Sequence, residues 1–149
     1  MARRRIAFCA VFAFGLTPSG CSLIEPIPNP NISVRYSEAG PEFAVCVDIA
    51  IQFASASVLS NSQEWTYMWK DTDLNLRLEA GDTFTGDSID PAWSVTEEPQ
   101  LQPGEKVDVL LKSAGDKTII SGRFLVPEDG LPTSEWLHTD KTTSSEPCV

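Results

Sequence analysis

From Ile32 onward the apolar residues recur at every second position. That is the period of a strand with one buried face, not of a helix. Ile32, Val34 and Tyr36 alternate with Ser33, Arg35 and Ser37 until Gly40-Pro41 interrupts the run. From Phe43 to Phe53 every odd-numbered residue is apolar, and Ala44, Cys46, Asp48, Ala50 and Gln52 occupy the other side. This predicts one long core strand that needs a second layer to cover it, with the small residues Ala54 to Ser57 forming a bend. Trp65, Tyr67 and Trp69 predict the next strand; Leu74, Leu76 and Leu78 another; Trp93 and Val95 a short one. Val107, Val109 and Leu111 alternate with charged residues and lead through Ser113-Ala114-Gly115-Asp116 into Thr118 to Val126, which predicts a hairpin. No amphipathic stretch exceeds a turn or two, so no crossover helices exist to build a parallel sheet. The expectation is an all-β fold, a single antiparallel β-sandwich of about seven to eight strands, with a closed barrel as the alternative. It would occupy residues 32–138, followed by a polar, Ser/Thr-rich tail at 139–149.

The stretch before this domain has a different character. Arg3, Arg4 and Arg5 precede an apolar run from Ile6 to Leu16. A helix of that length spans roughly 17 Å, short of the ~30 Å of bilayer hydrocarbon, so it reads as the core of a signal peptide covering residues 1–20. It ends in Pro18-Ser19-Gly20-Cys21. This ending resembles the lipobox of bacterial lipoproteins, which places small residues before an invariant cysteine; Pro18 stands where leucine is usual. The resemblance implies cleavage before Cys21, a diacylglycerol on its sulfur and two acyl chains, enough for stable anchoring. It also implies a domain held on the extracytoplasmic side of a cell membrane. The alternative is plain secretion after the small-x-small site Ala13-Phe14-Gly15. Between anchor and domain, residues 21–31 carry Pro26, Pro28 and Pro30, a composition that favours a stiff, extended tether.

Cysteine parity bears on the same choice. Cys9 leaves with the signal; if Cys21 carries lipid, Cys46 and Cys148 remain as an even pair in an oxidising compartment. These two are expected to form a disulfide that staples the polar tail to the domain, closing a loop of about 100 residues.

Pro99-Gln-Leu-Gln-Pro-Gly-Glu105 leads into Val107 and Val109. The run is similar to the Leu-x-Pro-Gly-Glu turn-into-strand of immunoglobulin-like bacterial modules, and implies an immunoglobulin-like version of the sandwich.

Charge narrows the partners. Without residues 1–20 the chain keeps 8 Lys and Arg against 21 Asp and Glu, a net −13. Such a protein has no basic stripe for nucleic acid, and it is expected to be pushed away from anionic headgroups, so that the lipid must do the anchoring. The partners expected are the membrane, through the lipid, and an envelope protein or glycan.

Little points to catalysis. His138 is the one histidine, lies near Glu135 and Asp140, and reads as a surface residue; no Gly-x-Ser-x-Gly elbow accompanies it. One histidine also leaves no His-based metal site. Asp71-Thr-Asp73-Leu-Asn75 mimics the start of a calcium loop, but Leu76 stands where an EF-hand requires glycine. Asp82, Asp87 and Asp90, in a loop with Gly81 and Gly86, read as solvated acids or as a weak calcium candidate. No catalytic residue, metal or cofactor is assigned. The expectation is a non-catalytic interaction or structural module. The alternative is a glycan- or peptide-binding protein that uses Trp65, Tyr67, Trp69 and Trp93 as a stacking platform; the same aromatics could equally be core.

Overall fold

The computed structural model describes residues 29–89 and 100–149. Cys21, Trp93, Asp90 and the greater part of the expected tether lie outside them. Among the described residues the chain forms ten strands in two antiparallel sheets, as the period-two pattern predicts for a sandwich. One sheet contains β1 (Ile32–Ser37), β2 (Gly40–Val45), β6 (Thr83–Phe84), β9 (Trp136–His138) and β10 (Thr143–Ser144), in the order β10-β9-β1-β2-β6. The other contains β3 (Ile49–Leu59), β4 (Trp65–Asp71), β5 (Leu76–Leu78), β7 (Lys106–Ser113) and β8 (Ile119–Leu125). Its order is β4-β3-β7-β8, with β5 continuing the β4 side of β3.

The predicted long strand is two strands in two sheets. β2 ends at Val45, β3 begins at Ile49, and Cys46 to Asp48 carry the chain across. The alternation survives the crossing because both halves line one core from opposite sides: Phe43 and Val45 face it from the first sheet, Ile49 and Ile51 from the second. Ala54 to Ser57, expected as a bend, sit in the middle of β3, the longest strand, and pair on both sides. Ala54 and Ala56 are fully buried, and their small side chains leave room for bulkier neighbours.

Phe43 is the hub of the core. Its ring stacks on Phe84 at 5.5 Å and meets Trp69 edge-on at 6.1 Å, with Phe124 at 6.4 Å. Such aromatic pairs contribute about 0.5–1.5 kcal/mol each beyond the area they bury. Gly122 on β8 lets the two sheets approach, since a Cβ there would lie 2.6 Å from the Cγ2 of Ile32.

Turns follow their residues. The β1–β2 hairpin turns through Glu38-Ala39, with the Ser37 hydroxyl donating to the Gly40 carbonyl at 2.9 Å. Pro103-Gly104 forms a turn closed by Glu105 N–H to the Gln102 carbonyl, 3.1 Å, and Gly104 has the positive φ of 85° that the third position of a type II turn needs. The predicted β7–β8 hairpin is present, with Lys106 opposite Leu125 and Lys112 opposite Ile119.

The 139–149 segment lies along the outside of the first sheet. β10 pairs with β9, and the Ser33 hydroxyl donates to the Pro147 carbonyl at 2.8 Å. Cys46 and Cys148 are bonded, with their Cα atoms 5.4 Å apart. His138 is therefore not a surface residue. It lies in β9 beneath this segment, 7% exposed, with Nε2 2.8 Å from the Ser144 hydroxyl.

Candidate functional site

The outward face of the β4-β3-β7-β8 sheet has the composition of a contact surface. Cross-strand register places its residues in rows: Trp65, Leu59, Lys106 and Leu125 in one; Tyr67, Ser57, Asp108 and Arg123 in the next; Lys70, Ser55, Leu110 and Ser121 in a third. Phe53, Lys112 and Ile119 follow, and Arg77 stands opposite Ala50 at the β5 end.

Each aromatic of this face has a cation against its ring. The Arg123 guanidinium lies 5.6 Å from the Trp65 ring, and the Lys70 ammonium 5.2 Å from Tyr67. Phe53 has Lys70 at 5.9 Å and Lys112 at 5.7 Å. At exposed sites such contacts contribute about 0.5–1 kcal/mol each. At the centre, Arg123 donates through Nε and Nη2 to the two oxygens of Asp108, both at 2.6 Å. The planar fork fits a carboxylate in this way, where a lysine would make a point contact. The bond to Asp108 pushes the Arg123 pKa above its ordinary value.

Ser57, Trp65, Thr66, Tyr67 and Asp108 line a shallow depression of about 250 Å³. That is just below the range usual for small-molecule pockets. A broader depression of about 990 Å³ continues past Lys106 and Arg123, over β8, to Asn29 and the 139–141 turn. In that turn Asp140 accepts from the hydroxyl and the N–H of Thr142, which hold its carboxyl below the usual range.

The four aromatics expected to form one platform do not do so. Trp65 and Tyr67 are on the face, 47% and 61% exposed. Trp69 is 3% exposed and belongs to the core. The reason is a β-bulge: Tyr67 pairs with Ser57 and Trp69 with Ala56, so Met68 has no partner of its own. The extra residue resets the alternation, and Met68 and Trp69 both turn inward. Trp93 lies outside the described residues. Phe53, expected on the core side of its run, belongs to the face because the register shifts between Ile51 and Phe53. Asp108, Lys112 and Arg123 also belong to it; their signal is the polar phase of β7 and β8, which acquires meaning only once the cross-strand register is known.

Among the described residues, neither acidic segment gathers into an ion site. Asp71 accepts from the Asp73 N–H, Asp82 from the Glu79 N–H, and Asp87 from the Thr85 hydroxyl. Among the described residues no group of three His, Cys, Asp or Glu is placed to hold a metal, and no helix is long and apolar enough to cross a membrane. Comparison with protein-family models, with curated proteins and with solved structures returns no match.

Proposed function

We propose that the protein is a non-catalytic lipoprotein of a bacterial cell envelope, a lipid-anchored interaction module whose domain is an immunoglobulin-like sandwich. In this reading Cys21 carries diacylglycerol and the domain works on the extracytoplasmic side, through the outward face of the β4-β3-β7-β8 sheet.

The observation that carries it is the bonding of Cys46 to Cys148. Once Cys9 has left with the signal, that bond leaves Cys21 as the remaining thiol, at the position the lipobox-like ending reserves for lipid. The exposed aromatics supply the contact surface, because tryptophan and tyrosine bury large area at low conformational cost.

Intact mass of the protein extracted from membranes tests this. The expected species begins at Cys21, carries a diacylglycerol and gains two protons on reduction. A chain cut near Gly15 with no lipid would sink the proposal.

A second reading, glycan binding, is favoured by the depression between Trp65 and Tyr67. It rests on those two residues without Trp69.

A further inference from the structure

The chain's net negative charge conceals a strong segregation. Of the 8 Lys and Arg in residues 21–149, five project from the outward face of the β4-β3-β7-β8 sheet: Lys70, Arg77, Lys106, Lys112 and Arg123. Among the described residues, Asp108 is the one carboxylate in the outward phase of these strands, and it is matched to Arg123. Lys112 has Asp116 at 3.5 Å, while Lys70, Arg77 and Lys106 form no ion pair among the described residues.

The same face collects exposed apolar side chains. Trp65, Tyr67, Ile119 and Leu125 are 47%, 61%, 52% and 40% exposed. Aromatic rings and aliphatic tips among lysines and arginines suit the zone where acyl chains meet headgroups. A cluster of four or more basic residues suits anionic lipid. A glycan would use the rings and the charges but gains little from Ile119 and Leu125.

Asp116, beside Lys112, and Asp140, in the broad depression, border the face; the other described acids stand outside its outward phase. At physiological salt a charge is screened within about 8 Å, and packed sheets are about 10 Å apart, so a surface touching one sheet scarcely senses the far side of the other. The chain's entry into the domain fits as well. Asn29 lines the same broad depression as Tyr67 and Arg123, and its carbonyl accepts from the Thr139 hydroxyl at 2.9 Å. Seven residues separate it from Cys21, a length that spans at most roughly 25 Å.

We infer that the outward face of the β4-β3-β7-β8 sheet docks on the anionic surface of a lipid bilayer. This rests on the reading of that face as the contact surface and names its partner. The lipid would hold the protein at the membrane; the face would set its orientation, with its basic side down.

The test uses residues 21–149 with Cys21→Ser, which cannot be lipidated; among the described residues the core runs from Ile32 to Leu137, all of it kept. Sedimentation with vesicles of phosphatidylcholine containing 30% phosphatidylglycerol is compared with phosphatidylcholine alone. The expected preference for anionic vesicles is about tenfold or more at low salt, lost as salt rises toward 0.5 M, with a blue shift of Trp65 emission. Lys70→Gln, Lys106→Gln and Lys112→Gln together remove the preference. Thr133→Glu, Ser134→Glu and Ser145→Glu change net charge equally, at exposed positions off this face, and leave binding intact. Near-ultraviolet circular dichroism confirms that both variants are folded.

No preference for anionic vesicles, or an equal loss in both triple variants, overturns the inference. So does binding of polygalacturonate or single-stranded DNA with none to vesicles. Because the protein assayed has no lipid, vesicle binding beside an unmodified Cys21 in the native protein would remove the anchor and keep the face.

Discussion

Trp65 and Trp69 are four residues apart on one strand and have opposite roles. Trp69 is buried against Phe43 and Phe84, at 6.1 and 6.2 Å. Trp69→Ala should destabilise the domain by about 3–5 kcal/mol in urea unfolding, the usual cost of truncating a buried tryptophan. Trp65→Ala should cost no more than about 1 kcal/mol, the worth of its contact with Arg123 at an exposed position. Equal losses would mean that the strand does not turn over between them. The sequence alone left both residues open as core or platform, because alternation says that they share a phase and nothing about where that phase slips. His138 shows the same limit. Its neighbours Thr139 and Asp140 are polar, and nothing local announces that residues 142–146 return to cover it.

At the scale of elements, the device that decides the face is the bulge at Met68. Deleting Met68 would remove the bulge and leave Tyr67 and Trp69 alternating opposite Ser57 and Ala56, with Trp69 still directed into the core. Stability should fall only by the loss of the buried Met68 side chain, about 2–5 kcal/mol at most, and tryptophan emission should stay where it is. A red shift of emission would place the slip elsewhere. The β7–β8 hairpin was fully legible because its two runs are adjacent and its turn residues lie between them. The apparent strand from Phe43 to Phe53 was legible in pattern but not in partition. A chain that passes from one sheet to the other keeps its apolar side toward the same core, so period two cannot mark the corner. The outward phase of each strand was readable one strand at a time; the candidate face exists only where four strands lie in register.

For the whole molecule, average charge misleads where distribution informs. The net charge predicts repulsion from anionic surfaces, whereas the register puts most of the cations on one side. The Cys46–Cys148 bond also acts at this scale, since its partners are 102 positions apart. Replacing both with serine should cost up to about 4.7 kcal/mol on the chain-entropy account of a 100-residue loop. The loss should appear as a lower urea midpoint, while the affinity for anionic vesicles stays unchanged, because the bond lies against the opposite sheet. A variant as stable as the parent would show that the tail is held by Ser33 and the β9–β10 pairing alone.

That bond has a consequence in time. β1 is the first strand among the described residues, and it lies between β2 and β9, which is made about a hundred residues later. Cys46 must likewise wait for Cys148. For a chain threaded outward from its amino end, the first sheet stays incomplete and one thiol stays exposed until residue 148 has emerged. Pairings between distant parts of a chain also form slowly. Under the proposed export, an open β1 edge and a reactive Cys46 would stand in the envelope for as long as translocation lasts. Both are natural points of contact for the holdases and thiol oxidases that meet an emerging chain.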